Sequence, residues 1–299
     1  MFIIAHRKFF FWLTGLILAA AIGAIMFFGL PLGIDFTGGS MMKVDYPGGR
    51  PAIEDIQKQV AIVPNIGNVS VRAFGENAIS IRTRAMTLEE YNVMLGAVSS
   101  LGETVELSYT SVGSALGSQF ANKALWAIFA VALAIVFYIA IAFRRVSRPV
   151  PSWGYGLVVV AMLAIDIIVP VGFYAAYAHF TGAEVDSLFI VALLALIGYV
   201  VNDIIVVFDR IREHLVKNEK TGFKESFEDT IGKSIDEVMA RSINTSLTTS
   251  LVLLALIFFG AEATRNFALV ILVGVIVGTF SSICRSAPLL IPLANWFKK

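Results

Sequence analysis

The sequence predicts an α-helical membrane protein with six transmembrane helices and a small α+β domain carried between the first and second. Three observations predict it. The 299 residues are 57% hydrophobic and only 15% charged, with a mean hydropathy of +0.79, which is too apolar for an ordinary soluble domain. Six stretches are long and apolar enough to cross roughly 30 Å of hydrocarbon. Between the first two of them the chain turns polar and takes on the periods of strands and soluble helices.

The spans read as residues 9–32, 121–143, 153–178, 188–208, 243–259 and 267–293, the fifth starting earlier, near Val238. The first follows His6-Arg7-Lys8 and contains Ala19-Ala20-Ala21, so a cleaved signal peptide competes with a retained anchor. Its apolar run is far longer than the ~7–15 residues of a signal core, and an anchor is expected. Orientation follows from Lys and Arg in the short loops. His6 to Lys8, the turn Arg144-Arg145-Ser147-Arg148, the loop 209–241 and Lys298-Lys299 fall on one side, expected to be cytoplasmic. The connections 179–186 and 260–266 hold only Arg265 between them, as an outer location requires. The predicted organisation is therefore a cytoplasmic N-terminus and first span over 1–32, an exported domain over 33–120, and five further spans over 121–299. Both termini are expected in the cytoplasm.

Within the exported segment, 40–46 reads as a strand and 51–63 as a helix opened by Pro51, with Glu54 and Asp55 in its first turn. Residues 68–74 and 78–84 read as strands, the first with Val69, Val71 and Ala73 on one face, the second alternating Ile79 and Ile81 with Ser80 and Arg82. Gly75-Glu76-Asn77 between them has hairpin length. Thr87-Leu88-Glu89-Glu90 has capping-box spacing before a helix through Ser99, and 103–112 supplies the last strand. The order βαββαβ predicts a split ferredoxin-like fold with both helices on one face of the sheet. Such a fold implies no chemistry by itself. With no cluster of His, Cys or paired carboxylates, the domain reads as a binding or coupling module, or a brace for the bundle, and not as an enzyme.

Composition narrows the partners. A net charge of +1 gives no basic field for nucleic acid. Cys284 is the single cysteine, so neither an intrachain disulfide nor a thiolate zinc site is available, and it reads as a small packed apolar residue. No metal or cofactor is expected.

Ionisable groups inside a membrane are expensive and mark functional sites. Asp166, read as handling protons or as a structural hydrogen-bonding group, falls near the middle of span three; Asp203 lies in the cytoplasmic half of span four beside Asn202, and Arg241 at the cytoplasmic start of span five, all three on the candidate proton pathway. Ala195, Gly198 and Asn202 form a small or polar stripe at helical spacing, which predicts close helix approach around Asp203. Span five opens with Asn244-Thr245-Ser246 and Thr248-Thr249-Ser250, and span six carries Gly274 and Gly278 at GxxxG spacing before Ser281-Ser282. The three helices are expected to enclose a polar seam. A carboxylate beside a movable cation changes its affinity for protons as helices shift, which favours a titrating role over a static Asp203–Arg241 pair. In the loop 209–242, Phe223, Phe227, Ile231, Ile235 and Val238 recur on one helical face, predicting an amphipathic helix along the inner surface or packing beneath the bundle.

Several of these residues stand in ordered motifs. Gly33-Ile34-Asp35-Phe36-Thr37-Gly38-Gly39 follows span one; Gly198-Tyr199 with Asn202-Asp203 runs on through Val207-Phe208-Asp209-Arg210-Ile211-Arg212-Glu213; Arg241 precedes Asn244-Thr245-Ser246-Leu247-Thr248-Thr249; and Gly278-Thr279-Phe280-Ser281-Ser282 closes the set. The chain resembles over its whole length the SecF family of the bacterial SecD–SecF protein-export complex, within the resistance-nodulation-division superfamily. The resemblance implies SecD as partner, association with the SecYEG channel and with YajC, exported preproteins as cargo, and use of the proton gradient to promote late stages of export. It places Asp203 and Arg241 in the family's proton pathway. Ile165 stands where the family often has a histidine, and Arg285 is a cation the family pattern does not lead one to expect.

Three rival readings stay open. An intramembrane aspartyl protease would use Asp166 and Asp203 as a dyad, but the chain lacks a GxGD signature, and Arg241 opposes proton sharing. Half of a proton-driven lipid or drug exporter shares the span-plus-domain plan. A passive assembly scaffold would need no titrating group.

Overall fold

The computed structural model describes residues 2–64, 66–67, 69–142, 149–222 and 225–297, with the side chains of 262 and 263 excepted. The basic turn at Arg144–Arg148, the predicted face residue Phe223 and the tail Lys298-Lys299 lie outside the described residues. In chain order the elements are α1 (Arg7–Phe28), β1 (Gly39–Asp45), α2 (Ile53–Ala61), β2 (Ser70–Phe74), β3 (Ala78–Thr83), α3 (Leu88–Ser99), β4 (Val105–Val112), α4 (Ser114–Ala142), α5 (Ser152–Thr181), α6 (Ser187–Thr221), α7 (Phe227–Phe259) and α8 (Glu262–Ser281). A π turn, Ser282–Ser286, then leads into α9 (Ala287–Phe297). Among the described residues six helical runs are long and apolar enough to cross a membrane: α1, α4, α5, α6, α7, and the run from Thr264 to Phe297 that includes the π turn. The chain is a multi-pass membrane protein.

Two compact units are present. One comprises Leu30–Trp126 with Ala178–Ser187, the other Met1–Gly29, Ala127–Tyr177 and Leu188–Lys299.

In the first unit the sheet is antiparallel throughout, in the order β2-β3-β1-β4 that the βαββαβ sequence requires of a ferredoxin-like fold. Alternation sends Met42 and Val44 of β1, and Ile79 and Ile81 of β3, to one face. There they bury against Ile56 and Val60 of α2 and Met94 and Val98 of α3. Tyr46, at the end of β1, reaches under α3 and donates to the Val98 carbonyl at 3.1 Å, and burial pushes its phenol pKa up to about 12. The capping box forms as its spacing predicts: Glu90 N–H donates to Thr87 Oγ1 at 3.3 Å and Thr87 N–H to Glu90 Oε2 at 2.9 Å. Arg84 pairs with Glu90 and, with the cap, holds its carboxyl below the usual carboxylate range.

The glycine motif forms the base of this unit. Gly33 N–H donates to the Val185 carbonyl at 2.8 Å, and Asp35 Oδ2 accepts from the Ser187 N–H at 2.8 Å, so a single helical turn, Ile34–Thr37, is tied to the segment before α6. Gly38 and Gly39 follow at φ +72° and +125°, where a side chain would be strained. A Cβ on Gly38 would also lie 2.6 Å from Ser114 Cα, and one on Gly39 2.5 Å from the Thr83 carbonyl oxygen. Arg82 completes the clasp from β3, donating to the Leu32 carbonyl at 3.0 Å, to Thr37 Oγ1 at 2.7 Å and to Glu184 at 3.1 Å.

The second unit is a helical bundle whose core gathers Tyr155, Val159 and Leu163 of α5, Leu196, Val200 and Ile204 of α6, and Ile283, Ala287 and Leu290 near its C-terminal end. Its helices approach closely where one carries glycine. A Cβ on Gly172 of α5 would lie 2.5 Å from the Ala21 carbonyl oxygen of α1. On α8, Gly274 and Gly278 receive Leu196 and Val200 of α6, 2.2 and 2.5 Å from where a Cβ would stand. Large apolar side chains such as Trp12, Phe27 and Phe259 point outward and are exposed, as lipid-facing residues of a membrane bundle are.

The stretch 209–242 differs from the predicted surface helix. α6 runs on to Thr221 and α7 starts at Phe227, so the two spans extend as a helical hairpin. Ile231, Ile235 and Val238 are buried in the same core as Phe208 and Ile211. Among the described residues this apolar face packs into the bundle core, with Phe227 partly buried against it. Ser226 caps α7 by accepting from the Asp229 N–H at 3.0 Å.

Candidate functional site: the acid seam of the bundle

Four of the bundle's helices, α5 to α8, and its π turn bring polar side chains to two carboxylates. Asp203, half-buried on α6, accepts from the Ser242 hydroxyl of α7 at 2.7 Å through Oδ1 and from the Ser282 hydroxyl of the π turn through Oδ2. The hydroxyls continue along the seam: Tyr199 donates to Ser246 at 3.1 Å, and Thr279 of α8 bonds both Ser246 and its own-helix Val275 carbonyl. Beyond Val238 the buried positions of α7 are 242, 246 and 253, which is the helical spacing of one face.

That phase corrects several sequence expectations. Thr245, Thr248 and Thr249 do not enter the seam; their hydroxyls bond the carbonyls of Arg241, Asn244 and Thr245 one turn back on α7. Thr245 and Thr248 are exposed, as are Asn244 and Arg241. On α6, Ala195, Gly198 and Asn202 also face outward, and a Cβ on Gly198 would meet nothing within 4 Å. Gly198 is therefore not a close-approach point within this chain, whereas Gly274 and Gly278 are.

Arg241 forms no ion pair with Asp203. It lines an open polar cleft with Asp209, Arg210, Glu213 and Glu237. Arg210 pairs with Glu237 and, at 2.6 Å, with Glu213; Arg212 pairs with Asp209 at 2.7 Å, and His214 meets Glu237 at 3.0 Å. Exposed pairs of this kind contribute little stability.

Asp166 has a different counter-charge. Arg285, from the π turn, donates to its Oδ1 at 2.7 Å, with both side chains at 3% exposure or less. Ser281 is fully buried at the end of α8, and its hydroxyl makes no hydrogen bond to another described residue. Sequence reasoning noted Arg285 only as out of pattern; the signal that could have paired it with Asp166 is that a lone cation and a lone acid, each deep in an apolar run, need one another.

Side chains bond the backbone around the π turn. Ser282 donates to the Thr279 carbonyl at 3.0 Å, Ser286 to the Ser282 carbonyl at 2.7 Å and Arg285 to the Val277 carbonyl at 3.1 Å. The run Ser281-Ser282-Ile283-Cys284-Arg285-Ser286 is rich in such donors.

Among the described residues no three His, Cys, Asp or Glu side chains are grouped so as to hold a metal ion. Comparison with known proteins places the whole arrangement. The family model described as "Protein export membrane protein SecD/SecF, C-terminal" matches residues 94–296, and the one described as "SecD/SecF GG Motif" matches residues 23–46. The chain belongs to the SecD/SecF family. Gly38 and Gly39, strained for any other residue, fall in the second match.

Relatives in this family match over nearly the full length. The chain is 36% identical to a protein translocase subunit SecF from Thermobaculum terrenum, covering 98% of this chain and 94% of that one. It is equally 36% identical to a protein translocase subunit SecF from Sebaldella termitidis, covering 98% and 91%. Among solved structures, SecDF of Thermus thermophilus, described as a translocon-associated membrane protein, superposes with a TM-score of 0.82 at 28% identity, over 98% of this chain. The chain spans 38% of the length of that SecDF polypeptide.

Proposed function

We propose that this chain is a SecF-type accessory subunit of the Sec preprotein translocase, acting with SecD to promote late stages of protein export at the expense of the proton gradient. The observation that carries the reading is a polar stripe on the outside of membrane-length helices, with an acid just behind it. Asn202 of α6 and Asn244, Thr245 and Thr248 of α7 are exposed, while Asp203 is turned inward to Ser242 and Ser282. Polar side chains facing hydrocarbon are costly, so such a stripe calls for partner helices. Ala195 and Gly198 beside it leave room for a close approach. SecD supplies those helices in this reading.

Asp203, Asn202 and Arg241 are the proton-handling residues. A proton on Asp203 weakens the bonds it accepts from α7 and the π turn, freeing these elements from α6, and its loss re-forms them. A charge crossing the membrane is worth about 2.3 kcal/mol per 100 mV, enough to bias such a two-state element. The SecYEG channel, YajC and exported preproteins complete the set of partners. The short-loop Lys and Arg distribution supports an inner-membrane location with both termini cytoplasmic and residues 33–120 on the outer side. Catalysis forms no part of this reading.

The test is co-purification from native membranes followed by export assays in sealed vesicles. A SecD-like partner is expected with the wild-type chain and with Asp203→Asn alike, and only the wild type is expected to respond to the gradient. Full gradient stimulation with Asp203→Asn would remove the proton-handling role, and absence of any such partner would remove the subunit assignment.

A further inference from the structure

The bundle holds a second set of buried polar groups that the Asp203 seam does not use. Asp166 on α5 is 1% exposed, Ser281 at the end of α8 0% and Arg285 in the π turn 2%. Arg285 spends one guanidinium nitrogen, Nη2, on Asp166 Oδ1 and the Val277 carbonyl, and its guanidinium lies 5.4 Å from the Phe280 ring. Three other polar atoms on these same side chains, Asp166 Oδ2, Arg285 Nε and Ser281 Oγ, have no hydrogen-bond partner among the described residues.

Buried polar atoms are almost always bonded, and unbonded ones on an ion-paired acid and cation and on a serine four residues before that cation point to a ligand. The chemistry of the three selects its class. Nε–H and Oγ–H are donors and Oδ2 is an acceptor, so the ligand must both accept and donate. An anion is repelled by the carboxylate, and a metal cation is opposed by the guanidinium. A water molecule accepts from Arg285 or Ser281, donates to Asp166, and finds here the two to four polar partners an internal water needs.

We propose that Asp166, Ser281 and Arg285 bind an ordered water molecule inside the bundle, and that the completed site holds the π turn that presents Ser282 to Asp203. Residues three apart in an α-helix point within about 60° of one another. Widening the turn spreads them, so Ser282 reaches Asp203 on α6 while Arg285 reaches Asp166 on α5. The two acids are thereby held by one short segment. The proposal stands on this geometry whether or not export is proton-driven.

The sign of one substitution tests the water. In the purified full-length chain with its partner, Ser281→Ala removes a bonded hydroxyl if the site is hydrated, and the thermal midpoint is expected to fall by ~2–4 °C. If the site is dry, the hydroxyl is an unbonded burden, and an unchanged or raised midpoint overturns the proposal. A structure of the complex that resolves ordered solvent is expected to place a water within hydrogen-bond reach of Asp166 Oδ2 and of Arg285 Nε or Ser281 Oγ. A direct Ser281–Asp166 bond with no such water overturns it equally. Cys284, the single cysteine, lies half-buried within the π turn and reports on its conformation. Replacing the pair by Asp166→Leu with Arg285→Met is expected to change its alkylation rate by a membrane-permeant maleimide several-fold, and an unchanged rate overturns the link to the π turn.

Discussion

Arg285 donates a 2.7 Å hydrogen bond to Asp166 with both side chains withdrawn from solvent, so the acid in the middle of α5 meets its counter-charge from the C-terminal helical run and not from α7. Arg241, the cation most prominent in the sequence, stands exposed in a separate charged cleft.

Breaking a buried ion pair strands a charge, while removing both partners together does not. Arg285→Met or Asp166→Leu alone is therefore expected to destabilise the chain by about 3–5 kcal/mol, and the double substitution to recover most of that loss. Unfolding midpoints of the purified variants check this. A double variant as unstable as the sum of its singles would show that the pair contributes no coupling.

The two hydroxyl faces of α7 separate cleanly. Ser242→Ala removes a donor to Asp203 and is expected to lower gradient-stimulated export several-fold with the partner still bound. Thr249→Ala removes only a bond to the Thr245 carbonyl of its own helix and is expected to leave export unchanged. Vesicle export assays on the two variants decide, and equal effects would mean that the buried face of α7 has no special role.

Glycines at similar spacing are expected to behave oppositely. Gly278→Val places atoms where Val200 already stands and should cost about 1–3 kcal/mol of stability. A Cβ on Gly198 meets nothing within 4 Å, so Gly198→Leu should leave the chain folded and instead reduce the yield of co-purified partner. Expression level and pull-down ratio, measured together, distinguish the two effects.

High pH probes the exported unit. Burial raises the Tyr46 pKa from 10.0 to about 12, so the folded state keeps its proton while the unfolded chain releases it. The stabilising contribution is complete below pH 10.0 and is lost as pH rises through about 12. Tyr46→Phe should lose some stability at neutral pH with its bond to the Val98 carbonyl, and should flatten this alkaline decline. Unfolding curves from pH 9 to about 12 follow it.

How far the sequence could be read varied with the range of the interactions involved. The six spans, the βαββαβ order, the Thr87–Glu90 cap and the glycine motif were legible because each depends on composition, period or neighbours within a few residues. The phase of the α7 hydroxyl face was not: Ser242 and Ser246 lie roughly a third of a turn around the helix from Asn244, Thr245 and Thr248, and with both faces polar the chain alone does not say which is buried. Gly274, Gly278 and Gly198 look alike in the chain, and only the facing helix separates the glycines that receive Leu196 and Val200 from the one that faces outward. The stretch 209–242 has an amphipathic pattern in either event, and its burial against Phe208 and Ile211 depends on α6 running on to Thr221.

By itself, then, the sequence determined that this chain crosses a membrane repeatedly, carries a small split β-α-β domain after its first span, and places acids where hydrocarbon would exclude them. Those properties follow from how many apolar residues adjoin one another and how polar ones are spaced. Which cation answers which acid was decided only in three dimensions. Asp166 and Arg285 are far apart in the chain, and they meet only because α5 packs against the π turn, whose serine and arginine side chains bond nearby helix carbonyls.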